Sequence, residues 1–186
     1  MSWNVHVDKT ISSANRSLGY IRRNFQSAPS NLKRLLYVTL VRPKLEYASA
    51  IWHPHQAFLT NAIESVQNRA ARFILSDYSR FSSVTAMKSQ LTLPDLSVRR
   101  RISRLCLLHK IYYSEPLRQS LLSPPSYISA RVDHSCKIAR PKTTSAAHQH
   151  SLIPEAIVDW NGLPDDIVTI TDNAKFRTVL TNHSPL

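Results

Sequence analysis

Apolar residues Val7, Ile11, Ala14, Leu18, Ile21 and Phe25 recur at spacings of 4, 3, 4, 3 and 4. That period keeps them on one face of a long first helix, with Arg16, Arg22 and Arg23 on or beside its polar side. The run Ser27-Ala-Pro-Ser30 ends the helix, and Ser30 is the candidate N-cap of the next. The second helix is expected to bury Leu32, Leu35, Leu36 and Leu40, until Pro43 breaks or kinks it. Leu45 to Trp52 is apolar enough for burial.

A third long helix fits residues 57–75, on the stripe Leu59, Ile63, Val66, Ala70, Phe73 and Ile74. Arg72 then faces water and Arg69 lies on the flank. Ser82 or Ser83 caps a short helix through Val84, Met87 and Leu91. Pro94 and Asp95 open another long one, with Val98, Ile102, Leu105 and Tyr112 on one face.

From Pro116 to Ser151 the period fades. Pro124-Pro125, several serines and the basic stretch Lys137 to Lys142 predict a loop, with two short strands around Tyr127–Val132 and Ser135–Ile138. Order returns from Ile153 to Trp160, and a last helix runs from an Asp172 cap to Leu180. The expected fold is mostly α: a bundle of four to six helices over 1–113, a loop-rich basic connector over 114–150, and a small helical C-terminal tail over 151–186.

Composition agrees with that reading. Two glycines among 186 residues argue against a hairpin-rich β fold, whose turns need positive φ. The eleven prolines read as punctuation between helices. An apolar content of 42% suffices for a core.

Charge adds a functional clue. The net charge is +12, with 22 Lys/Arg against 7 Asp/Glu over residues 1–150 and 2 against 5 over 151–186. A basic body of this kind points to a polyanionic partner, nucleic acid first among them. The densest group is Arg99, Arg100, Arg101 and Arg104 at the start of a helix, where cations oppose the helix dipole and so invite a functional reason. Arginine holds phosphate bidentately and stays charged. Arg22, Arg23, Lys33 and Arg34 are candidates to extend that surface. Arg69, Arg72 and Arg80 read instead as structural, and Glu46 as the ion-pair partner of Arg42 or Arg69.

Other chemistries find little support. His134, Cys136, His148 and His150 lack the paired spacing of a zinc site. No Gly-rich phosphate loop fits two isolated glycines, and no nucleophile elbow is present. Trp3, Trp52 and Trp160 each sit in apolar surroundings and read as core. Cys106 and Cys136 read as free thiols. No apolar run approaches the ~18 residues of a membrane span, and the N-terminus lacks signal-peptide features. The expectation is cytoplasm or nucleus, with no metal and no cofactor.

Several motifs, in order, resemble the segment after the palm in LINE-type (non-LTR) retrotransposon reverse transcriptases. They are Ser2-Trp-Asn-Val-His-Val7, Ala14-Asn-Arg-Ser-Leu-Gly-Tyr-Ile-Arg-Arg-Asn24 and Thr39-Leu-Val-Arg-Pro-Lys-Leu-Glu-Tyr-Ala-Ser49. Val66 to Phe73, Asp77 to Met87, Ser151-Leu-Ile-Pro154 and Trp160-Asn-Gly-Leu-Pro164 continue the series. Leu152 and Ile153 stand where that family usually has two phenylalanines. The resemblance implies a thumb-like helical region that grips nucleic acid by its backbone, with the missing palm and fingers as structural neighbour. It also implies that the polymerase's catalytic aspartates lie upstream, so that this region has no catalytic residues and is not an enzyme on its own. Asp165-Asp166 belongs to the tail motif rather than to a metal-binding turn. A decayed transposon remnant, or a helical module that docks a protein, is the competing expectation.

Overall fold

The computed structural model describes residues 3–52, 54–129 and 131–183. Ser2 of the first motif and His53, just beyond the third, lie outside them, as does Ala130 of the first candidate strand. Among the described residues the fold is helical and contains no strand. The chain forms two compact units, one from residues 3–49 and 54–99, the other from 50–52 and 100–183.

In the first unit, α1 (Asn4–Asn24) buries Val7, Ala14, Leu18 and Ile21, four of the six residues of its predicted stripe, while Ile11 is half-buried and Phe25 is the half-buried C-cap. Arg22 and Arg23 occupy its last turn, where cations suit the carbonyl end of the dipole. Next come α2 (Ser30–Leu36), a π-helical segment (Tyr37–Val41) and α3 (Arg42–Glu46). Pro29 rather than Ser30 stands at the cap position.

Here the expected face is corrected. Leu35 and Leu40 are 57% and 47% exposed, whereas Tyr37, Val41 and Leu45 are fully buried. The buried series Lys33, Tyr37, Val41, Leu45 steps by four, which drifts about 40° per step around an α-helix. A π turn is wider, so it reduces that drift and keeps the four residues on one side. The widened turn also precedes Pro43, whose ring would clash with the carbonyl four residues back in a regular helix. Pro43 therefore sits in the first turn of α3, and the helical path continues through it.

Helix α4 (Ala57–Leu75) buries all six residues of its predicted stripe, together with Gln67 and Ala71. It packs on α1 and α2. The Tyr37 hydroxyl donates to Gln67 Oε1 at 2.8 Å, so the two buried polar groups satisfy each other. Helix α5 (Val84–Gln90) is capped by Ser83, whose Oγ accepts from the Ala86 N–H at 3.3 Å.

Helix α6 (Leu96–Tyr112) crosses the division between the units at Arg99 and Arg100. Glu64 accepts from the Leu96 N–H at 3.0 Å and from Lys88 Nζ at 3.0 Å, placing an anion at the start of this basic helix.

The second unit draws its boundary from the packing of α6 residues 100–112 on the tail. Asn173 donates to the Cys106 carbonyl at 2.9 Å, and the Tyr113 hydroxyl to the Val168 carbonyl at 2.7 Å. Apart from residues 50–52, the compact unit thus starts at residue 100, whereas the sequence reading puts a boundary at 113/114. Helix α7 (Glu115–Leu121) buries no residue.

The two candidate strands do not form among the described residues. Ile138 exchanges both backbone bonds with the Asn161 side-chain amide, at 3.0 and 2.8 Å, and the Ala139 N–H goes to the Ser123 carbonyl. With those groups satisfied, no ladder is needed. Helices α8 (Ala146–Gln149), α9 (Leu152–Asn161), α10 (Asp165–Val168) and α11 (Asn173–His183) complete the tail. The Asp172 carboxylate, just before α11, accepts from the Ala174 N–H at 2.8 Å, as predicted for the cap of this helix.

Trp160 is fully buried in the second unit and donates Nε1–H to the Cys136 carbonyl at 2.9 Å. Tyr112, Phe176 and His109 surround its ring. This is the core role expected of it.

Candidate nucleic-acid interface

The predicted basic cluster at the start of α6 is largely tied to acids. Arg99 Nη2 lies 3.0 Å from Glu46 Oε2, and its Nε closes a second bond to the same carboxylate. That pairing raises the Arg99 pKa, while Arg42 is lowered by burial and then by Arg99 itself. Arg42 keeps a 3.9 Å contact with Glu46, so the expected pairing forms with Arg99 as the stronger partner.

Arg100 is 1% exposed. Arg104 is 4% exposed, with Nη2 at 2.6 Å from Asp159 Oδ2 and Nη1 in ion-pair range of Glu155 at 3.5 Å. Arg101 remains half outside, yet its Nε donates to Asp159 Oδ1 at 3.0 Å. In this conformation the guanidinium groups of Arg100 and Arg104 do not reach a phosphate backbone. For Arg104 the sequence hides this because its acids, Glu155 and Asp159, lie more than fifty residues away.

Lys33 and Arg34 are likewise engaged. Lys33 is 4% exposed, bonds Ser76 Oγ at 2.9 Å and lies 5.0 Å over the Phe73 ring. Arg34 donates to the Leu91 carbonyl at 2.7 Å and to Thr92 Oγ1 at 2.8 Å. Of the eight candidates, Arg22 and Arg23 keep exposed side chains without a carboxylate partner among the described residues.

Those two line an open pocket of about 320 Å³ with Gly19, Gln26, Phe73 and Tyr78, all in the first unit. Tyr78 is 58% exposed, and the Arg22 guanidinium sits 5.9 Å from its ring centre. The segment carrying Tyr78 is tied on both sides. Ser76 takes a left-handed φ of 54° to end α4, and the Asp77 N–H returns to the Arg72 carbonyl. Asp77 Oδ1 accepts from the Ser79 N–H at 2.9 Å, and Arg72 donates to the Ser79 carbonyl at 2.8 Å. The Ser82 hydroxyl, then the Ser79 N–H, hold the Asp77 carboxyl below its usual range. Arg72 is therefore structural, as expected, although it bonds a carbonyl.

Arg80 lies 4.9 Å over Phe81, whose ring is 86% exposed. The sequence reading passed over these aromatics. Asp77-Tyr-Ser-Arg80-Phe81 does hold a signal, two aromatics with one cation, Arg80, between them.

A pocket of about 370 Å³ in the second unit includes Arg118 and Lys137. Arg118 stacks 4.6 Å over Tyr112, and Lys137 pairs with Asp133 at 2.6 Å, so its cations are already engaged. Among the described residues no group of three or more His, Cys, Asp or Glu is placed to hold a metal ion. His134 bonds the Trp160 carbonyl at 3.1 Å. No helix of the described residues is long and apolar enough to cross a membrane.

No family model matches the chain, and no curated protein or solved structure matches it either.

Proposed function

We propose that this chain is a non-catalytic binder of RNA, DNA or their hybrid, which holds the phosphate backbone at the C-terminal end of α1. Arg22 and Arg23, exposed and without a carboxylate partner among the described residues, beside a tied aromatic loop, are the observation that carries this reading. Charge supports it. The first unit holds 13 Lys/Arg against 5 Asp/Glu, a net of +8. The sequence resemblance to the post-palm segment of LINE-type reverse transcriptases suggests the setting, a thumb-like part of a larger polymerase.

Backbone binding has a recognisable signature. Each phosphate neutralised contributes about 0.7 to 0.9 to the slope of log affinity against log salt. The test is titration of labelled RNA–DNA hybrids of unrelated sequence across a salt series. The reading expects steep salt dependence and similar affinity for each sequence. Absence of binding at low salt contradicts it.

A second reading rests on the outer side of α2. Leu32, Leu35 and Leu40 are 37%, 57% and 47% exposed, with Tyr47 at 80% beyond them. A helical module that docks a protein would use such a face.

A further inference from the structure

Backbone contact alone needs cations, not an aromatic ring held in place. Tyr78 is a large exposed ring on a segment whose hydrogen bonds fix it on both sides, so its exposure costs little further ordering on binding. Beside it lies an open space of about 320 Å³, large enough for one nucleobase and too small for a duplex. Gly19 keeps the floor of that space low. A Cβ there would meet Arg23 Nη1 at 3.5 Å, an ordinary contact, whereas a longer side chain would occupy the space. Gln26 adds an exposed amide at the rim, able both to donate to and accept from a base edge.

We infer that the Gly19–Tyr78 pocket takes one unpaired nucleobase, stacked on Tyr78, with its flanking phosphates on Arg22 and Arg23. The ligand class is single-stranded nucleic acid, either free or as the overhang of a duplex. This deepens the reading above and rests on it. Stacking on an aromatic ring is open to every base, so the pocket confers strand form rather than sequence.

The test compares a blunt RNA–DNA hybrid with the same hybrid carrying a short single-stranded overhang, at one salt concentration. The wild-type chain is expected to bind the overhang form roughly tenfold more tightly. Tyr78→Ala should abolish that advantage, and its exposed position leaves the fold intact. Gly19→Leu fills the pocket, retains every cation and favours the helix, and it should abolish the advantage too. Arg22→Ala with Arg23→Ala should weaken both hybrids. Equal wild-type affinity for the two hybrids, or an advantage that survives both Tyr78→Ala and Gly19→Leu, overturns this inference while the backbone grip stands. No binding of either hybrid at low salt overturns the grip itself.

Discussion

Arg104 and Asp159 meet at 2.6 Å across 55 positions of sequence, with the Arg104 side chain only 5% exposed. A buried guanidinium needs its counter-ion, because an uncompensated charge in low dielectric is costly. The contact joins α6 to α9 within the second unit and commits the Arg104 guanidinium to a carboxylate inside the fold. Asp159→Asn should lower the unfolding free energy by about 3 kcal/mol, read from urea melts. A change below about 0.5 kcal/mol would mean the pair is not structural.

Glu46 holds Arg99 and touches Arg42, so it restrains two cations at once. Glu46→Gln keeps the shape and removes the charge. The expected loss is about 1–2 kcal/mol, since the site is partly open to water. Thermal unfolding of the two proteins side by side checks this.

The π turn makes a sharp contrast available. Tyr37→Ala should cost about 3–5 kcal/mol, because it empties a fully buried aromatic site and strands Gln67. Leu35→Ala, on the face that the sequence alone selects as core, should change stability by about 0.5 kcal/mol or less. Equal costs at the two positions would contradict the buried face described for α2.

His109 is 1% exposed, bonds the Ile170 carbonyl at 2.7 Å through Nε2 and stacks on Phe176 at 4.4 Å. Burial lowers its pKa from 6.5, partly opposed by the bond to Ile170 and by Asp172. The native state then holds fewer protons than the unfolded chain, so stability from this group is complete above pH 6.5. It is lost as pH falls from there toward the lower folded pKa. Stability measured from pH 7.5 to 5 should show that decline, and His109→Gln should flatten it over this window.

Long helices with wide apolar stripes were legible from the chain. All six stripe residues of α4 are buried, and α1 follows its 4-3-4 rhythm. In α2 the rule failed for a local reason. Periodicity arguments assume 3.6 residues per turn, and the π segment at Tyr37–Val41 breaks that assumption. The pairing of the basic cluster was hidden for a non-local one. Arg104 and Arg99 read as solvent-facing until their acids, Asp159 and Glu46, are brought to them by packing. Arg22 and Arg23 were legible because their neighbours on α1 already fix which side they occupy. Tyr78 was legible in residue type and missed because its ring was not weighed as a surface.

The most direct measurement of the central claim is the salt slope for an RNA–DNA hybrid, with Arg22/Arg23→Ala set beside Arg101→Ala. Arg101 is the fair comparison, being exposed and in the cluster that sequence favoured, yet bonded to Asp159. The account predicts that the Arg22/Arg23 variant loses roughly 1.5 from the slope and that Arg101→Ala leaves it unchanged. A slope that falls only with Arg101→Ala would contradict it and return the interface to the start of α6.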